Sequence, residues 1–218
     1  MDFKKNNFIV VKNAISKELA QFIYDYFLLK QEVLKTLLKS RYISLNENMC
    51  GVFGDEQVPE AFSIYSDINA EILLKNLKKI LEEKTKLKLI ENYSYARIYK
   101  KGNELKRHKD RFSCEISTTL NIGGDIWPIF IEPNEKKGRT INDKYVSDNT
   151  KGIKVILNPG DMLVYRGNIL EHWREPFEGN ICCQIFLHYN NIYTSGAKEN
   201  IFDKRPHLGL PYYFNNRK

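Results

Sequence analysis

The hydrophobic period of this 218-residue chain changes near Leu87, and that change limits its fold more than any single motif. Upstream, apolar residues recur three and four apart, the spacing of a half-buried helix. Ser16 reads as an N-cap, with Glu18 in the first turn, for a helix in which Leu19, Phe22, Ile23 and Phe27 share one buried face. The pattern runs on through Val33, Leu34, Leu37 and Leu38, with a break or without one. A second amphipathic helix is expected from Asp67 to Lys84, with Ile68, Ile72, Leu73, Leu77, Ile80 and Leu81 on one side. The run from Phe8 to Ile15 predicts a short strand, and residues 43–62, which hold Gly, Pro and Asn, predict a loop.

Downstream the period is two. Tyr93, Tyr95, Arg97 and Tyr99 alternate with Ser94, Ala96 and Ile98, as in a strand with two distinct faces. Further strands are expected over 114–122, 126–132, 153–157, 162–166 and 181–189, with turns at Gly123-Gly124-Asp125 and Pro159-Gly160-Asp161. Residues 133–152 are polar and long for a plain connection, which predicts a functional flap or a disordered excursion. Beyond residue 192 the periodic signals fade, although Leu208, Leu210, Tyr212, Tyr213 and Phe214 should pack on something apolar. There is no internal repeat and no low-complexity linker. The expectation is one α+β domain over 1–218, with helical support over about 1–86, a strand-rich core over about 87–192 and a tail over 193–218. About eight strands follow the helices.

Composition narrows the class. Thirteen Tyr and 12 Phe supply a core, and 34 Lys+Arg against 27 Asp+Glu leave a mild charge of +7, mostly lysine. A nucleic-acid footprint needs that charge on one face, which composition does not show. No apolar run approaches the roughly 20 residues of a membrane span, so no membrane partner is expected. The start has no signal-type apolar core. Cys50, Cys114, Cys182 and Cys183 have neither zinc-knuckle nor disulfide-framework spacing, so a reduced, cytoplasmic protein is expected, its oligomeric state open.

The chemistry gathers at His108 and Asp110, just after the alternating strand. In extended chain, residues i and i+2 project to one side, so both side chains can face one point. An imidazole and a carboxylate that converge supply two thirds of a facial triad for non-haem Fe(II), which needs one more histidine. Of the four histidines, His172 lies just past the strand opened by Pro159-Gly160-Asp161. Helices first, His-x-Asp early in the strands and a histidine late in them is the order that a jelly-roll barrel needs. The expected fold is therefore a double-stranded β-helix (jelly-roll) barrel braced by N-terminal helices. His188 and His207 are more simply satisfied or exposed histidines, and Trp127 and Trp173 either wall a cavity or pack in the core. The run Lys100, Lys101, Lys106, Arg107, Lys109, Arg111 is either a solvated turn or a patch that steers an acidic or nucleic-acid substrate.

Arg97-Ile-Tyr99-Lys-Lys-Gly102-Asn-Glu-Leu105-Lys-Arg-His108-Lys-Asp110, then Pro159-Gly160-Asp161-Met-Leu-Val-Tyr and His172, resembles the core of the Fe(II)/2-oxoglutarate-dependent dioxygenases, especially the prolyl-4-hydroxylase-like branch. In the spacing from tyrosine to the first ligand it is also similar to the alkylated-nucleic-acid demethylases. The resemblance spans roughly residues 93–189 and implies that His108, Asp110 and His172 hold Fe(II), with no catalytic residue beyond these ligands. It further implies 2-oxoglutarate as cosubstrate, O2 as oxidant and ascorbate as an accessory reductant. Tyr99 matches the family tyrosine that hydrogen-bonds the cosubstrate.

The sequence departs from that family where an Arg or Lys is usual, nine to eleven residues after the distal histidine: Ile181, Cys182 and Cys183 stand there. The cation for the far carboxylate of 2-oxoglutarate is then expected to be Arg174, with Arg97 and after it Arg166 as the other candidates. Three functions remain open: hydroxylation of a C–H bond in a protein or small-molecule substrate, a peptidyl proline among them; oxidative demethylation of nucleic acid; and a cupin-like module that binds metal without turnover.

Overall fold

The computed structural model describes residues 2–44, 47–55, 57–142 and 144–216. The two long helices lie where the periodicity predicts them, α2 (Lys17–Lys39) and α3 (Ile68–Thr85), and a short α1 (Phe3–Asn6) that it does not predict precedes them; three short strands come before α3. Ser16 caps α2 by accepting from the Leu19 amide at 3.2 Å, and Asp67 caps α3 by accepting from the Asn69 amide at 3.0 Å. Lys86 ends α3 in the left-handed conformation. α2 is one unbroken helix, and its buried stripe is Ala20, Ile23, Phe27 and Leu34. Leu19 and Phe22 do not share it; they are 41% and 67% exposed. Likewise Ile68 and Ile72 face outward from α3, while Leu73, Leu77 and Leu81 are buried.

The strands are β1 (Phe8–Val11), β2 (Val52–Phe53), β3 (Phe62–Tyr65), β4 (Leu89–Lys100), β5 (Leu105–His108), β6 (Ile116–Gly124), β7 (Ile129–Ile131), β8 (Arg139–Ile141), β9 (Lys144–Val146), β10 (Ile153–Val155), β11 (Met162–Tyr165), β12 (His172–Arg174) and β13 (Ile181–Asn191). They form a seven-stranded sheet in the order β1-β11-β6-β13-β4-β3-β2, a four-stranded sheet in the order β10-β7-β12-β5, and the separate hairpin β8-β9. Every pairing is antiparallel. The large sheet is not closed; β1 and β2 are its edges.

Alternation explains the layers. On β4, Ala96 and Ile98 join Phe27, Leu74 and Leu77 in a core between the large sheet and the helices, whereas Tyr99 turns the other way, towards Leu105 and Trp127. On β13, Cys183, Ile185 and Leu187 face the helices, and Cys182 and Phe186 face the small sheet. A further apolar cluster, Phe8, Leu163 and Tyr165 against Ile129, Ile131 and Val155, fills the other end of the space between the sheets. Both long strands are buried on both faces, so the polar side chains on their inner faces need partners inside the protein.

Several elements escape the periodicity because they are short or polar: β5 reads Leu-Lys-Arg-His and β12 reads His-Trp-Arg. The loop expected over 43–62 contains β2 and the start of β3, with 45, 46 and 56 outside the described residues. The connection at 133–152 carries the hairpin β8-β9 and is tied down, with 143 outside the described residues. Lys109 Nζ donates to the carbonyls of Glu135 and Gly138, both at 2.9 Å, and Arg107 donates to that of Thr150 at 2.8 Å. These two members of the basic run therefore hold the connection against the end of β5. The tail docks through Arg205, buried and paired with Glu71 of α3 at 2.9 Å, and through Tyr212, whose ring edge meets Tyr65.

The two faces of α2 predict opposite outcomes. Phe27→Ala should cost about 3–5 kcal/mol, whereas Phe22→Ala should stay within about 0.5 kcal/mol of the parent. Urea unfolding measures both, and equal losses would contradict the assigned faces.

Candidate metal centre and cosubstrate site

His108 closes β5 and His172 opens β12, and the two residues are direct partners across that antiparallel pair. Their rings lie 4.2 Å apart between centroids. Asp110 follows two residues after His108, its amide donating to the Gly167 carbonyl at 2.8 Å. Its Oδ1 is 3.5 Å from Nε2 of His108 and 3.5 Å from Nε2 of His172. The three ligand atoms fall within 4.8 Å of one another, so one cation can touch them all. The i, i+2 geometry thus brings the two close residues together, and sheet pairing adds the distant one.

Hydrogen bonds fix which nitrogen faces the centre. Nδ1 of His108 lies 2.7 Å from the Lys106 carbonyl, and Nδ1 of His172 lies 3.0 Å from that of Leu170. A carbonyl only accepts, so Nδ1 carries a proton in each ring, and Nε2 is the nitrogen turned towards the shared point. Burial opposes the charge on Asp110, but His172 and His108 beside it outweigh burial and hold its carboxyl well below the usual range. Asp110 Oδ2 accepts from Ser117 Oγ at 2.8 Å. Gly167 makes room for this arrangement, since a β-carbon there would collide with the Asp110 carboxylate and the Ser117 hydroxyl.

The centre opens into a cavity of about 750 Å³ between the sheets. Asp55 and Gln57 reach it from the 43–62 segment. Gln57 Nε2 lies 3.1 Å from His108 Nε2, and Gln57 Oε1 accepts from Arg97 at 3.2 Å. His188 also lines the cavity, with Nδ1 3.1 Å from Ser117 Oγ. Sequence alone favoured a bland role for it; the signal it offered was its position on the inward alternation of β13, in step with Cys182 and Phe186. His207 is exposed. A second trio, Asp110, Cys114 and His188, also lies within 4.8 Å, but Ser117 bridges its carboxylate and imidazole and the Tyr93 hydroxyl bonds the Cys114 thiol at 3.0 Å.

The three candidate arginines separate clearly. Arg97 is committed to Asp55, and its Nη1 also donates to the Tyr99 hydroxyl at 3.3 Å. Arg166 lies 3.7 Å from Glu115. Arg174, two residues past His172 on the same inward face of β12, is 1% exposed and has no carboxylate partner among the described residues. It donates to the Trp127 carbonyl, to Thr119 Oγ1 at 3.2 Å and to Gln184 Oε1 at 3.3 Å, while its Nε is buried without a partner. Burial lowers its pKa, against the pull of Cys182, Tyr99 and Tyr165 nearby. Tyr165 packs its ring on His172, with centroids 4.7 Å apart. Its place at the end of the Pro-Gly-Asp strand is the signal that sequence reading passed over. Trp127 is core beneath Tyr99, with its carbonyl given to Arg174, and Trp173 stacks on Phe130; neither lines the cavity.

No family model and no curated protein sequence matches the chain. Solved structures do. A Pseudomonas putida prolyl-4-hydroxylase superposes with a TM-score of 0.58 at 12% identity, over 87% of this chain and 95% of that one. AviO1 from Streptomyces viridochromogenes Tue57 gives 0.60 at 14% identity, over 89% and 94%. HygX from Streptomyces hygroscopicus, crystallised with nickel and 2-oxoglutarate, gives 0.53 at 12% identity, over 88% and 85%. At such identities the likeness is one of architecture: this chain has the jelly-roll fold of the Fe(II)/2-oxoglutarate oxygenases, with a large sheet that stays open.

Proposed function

We propose that the protein is an Fe(II)- and 2-oxoglutarate-dependent oxygenase that hydroxylates a C–H bond of its substrate. The observation that carries this reading is Arg174. A fully buried guanidinium without a carboxylate costs several kcal/mol, and this one lies next to a His-Asp-His trio on the same strand face. A dicarboxylate that chelates a metal held by His108, Asp110 and His172 would bring the missing anion to it. When bound, iron and 2-oxoglutarate supply the oxidising chemistry, in which the keto acid and O2 yield succinate and CO2; ascorbate would keep the metal reduced.

The roles of the chain's own residues follow from their placement. His108 and His172 present neutral Nε2 atoms, and Asp110 supplies the charge that favours a divalent cation. Arg174 pairs the far carboxylate, and the hydroxyls of Tyr165 and Tyr99 stand beside that ion pair to orient it. Leu105 and Ile129 keep the surrounding wall dry, which strengthens each electrostatic contact. Fold neighbours that hold 2-oxoglutarate, HygX among them, support the same cosubstrate. The nucleic-acid reading predicts a basic mouth, and the arginines at this mouth are each paired with a carboxylate.

Two sets of variants test the assignment. His108→Ala and Asp110→Ala should lose Mn(II) or Fe(II) binding by at least 100-fold in anaerobic calorimetry while staying folded. Arg174→Met should keep the metal yet bind 2-oxoglutarate weaker by about 2–5 kcal/mol, roughly 30-fold or more, and release correspondingly less succinate. Retention of 2-oxoglutarate affinity in Arg174→Met would contradict the role given to this arginine. Without ligand, Arg174→Met should be no less stable than the parent by more than about 1 kcal/mol, because it removes an unpaired buried charge. Urea unfolding reads this directly, and a larger loss would show that the arginine is structural.

A further inference from the structure

Resting on that reading of the triad and Arg174, we propose that the part of the substrate that enters the cavity is an uncharged, hydroxyl-bearing ring. The argument is one of charge and hydrogen-bond balance. Among the described residues, the charged side chains that line the cavity outside the triad are already matched inside the protein. Arg97 is paired with Asp55, and Arg111 grips Asp203 at 2.7 and 2.8 Å. Burial opposes both carboxylates, yet Arg97 and Arg111 hold them below their ordinary range, so both pairs stay ionised. At the centre, a divalent cation and Arg174 balance Asp110 and a dicarboxylate. A phosphate, ammonium or carboxylate that came in from water would therefore meet no free counter-charge and would lose its hydration uncompensated.

The wall does offer a neutral partner. Ser117 has one hydroxyl proton, and two groups that only accept compete for it, the Asp110 carboxylate at 2.8 Å and the Cys114 carbonyl at 2.9 Å. Nδ1 of His188, 3.1 Å from Ser117 Oγ, must then be the donor of that contact, which leaves Nε2 as an acceptor in a cavity-lining ring. Burial drops the pKa of His188 to about 4, so the acceptor persists at neutral pH. A substrate must bring a donor to it, and a hydroxyl does so without charge. Apolar contact is supplied by aromatic side chains such as Tyr95, Phe186 and Tyr212, surfaces suited to the C–H faces of a ring. Two of the lining tyrosine hydroxyls are engaged elsewhere: Tyr95 donates to Asp55 at 2.9 Å, and Tyr93 bonds Cys114.

The test uses full-length protein with Mn(II), anaerobic, and calorimetric titration. 2-Oxoglutarate is added first; if it fails to bind, the reading of the cosubstrate site has failed, and the first titration shows that alone. Its complex is then titrated with neutral hexosides, pentosides and nucleosides, each beside its phosphorylated and aminated derivative. The expected result is a neutral ligand that binds at least 10-fold tighter than its charged derivatives. His188→Leu should weaken that ligand at least 10-fold and leave 2-oxoglutarate affinity unchanged, while His188→Gln, which keeps an acceptor, should stay within about 3-fold. Asp203→Asn, checked for folding by circular dichroism, should raise affinity for the phosphorylated derivative by freeing Arg111. Charged ligands that bind the parent protein as tightly as their neutral counterparts would overturn the proposal, as would a panel without any neutral binder or a neutral ligand indifferent to His188→Leu.

Discussion

The antiparallel pairing of β5 with β12 is the contact on which the site depends. It sets His172 directly opposite His108, two residues far apart in the chain, and thereby turns a local His-x-Asp into a three-sided centre. A one-residue slip of β12 would send His172 and Arg174 to the outer face and bring Trp173 inward. The strand is held against this from both sides, because β7 pairs its other edge, with His172 opposite Ile131 and Trp173 opposite Phe130. Trp173 stacks on Phe130 outside, and Arg107 lies 3.4 Å from the Trp173 ring centroid. Outer-face packing thus fixes the register that the inner face uses.

Buried charge is handled in two ways in this molecule. Arg205 and Arg97 are buried with carboxylates, Glu71 and Asp55, and both pairs act as fasteners, one for the tail and one for the segment that reaches over the cavity. Arg174 is buried among a carbonyl, a hydroxyl and an amide oxygen, with no carboxylate. Such surroundings fit the role proposed for it, a cation whose anion arrives from outside. On the proposed reading, the cost of that arrangement falls on the unliganded protein, and an incoming dicarboxylate would offset it.

Much of this was legible in the sequence. The switch of period near Leu87 foretold helices packed on a sheet, Ser16 marked the start of α2, and His108, Asp110 and His172 converge as their spacing and order suggest. What was not legible has physical causes. Leu19 and Phe22 fit a helical stripe, yet periodicity does not say which of two apolar faces the sheet covers. β5 and β12 are polar strands of four and three residues, made by pairing rather than by propensity. Gln57 and Asp55 enter the site from a segment without pattern, and Arg205 finds Glu71 across much of the chain, a pairing that only tertiary structure decides. Among the three arginines, Arg97 and Arg166 meet carboxylates and Arg174 meets none among the described residues, a difference that belongs to the fold.

The central claim is that the trio and Arg174 form one site, shared by a metal and a dicarboxylate. The most direct measurement is the difference absorbance of the anaerobic Fe(II) protein as 2-oxoglutarate is added. A new visible band that saturates at one equivalent per chain, and that is absent when Asp110 or His172 is replaced by alanine, is the result expected. A spectrum unchanged by 2-oxoglutarate in a protein that has bound its iron would contradict the account.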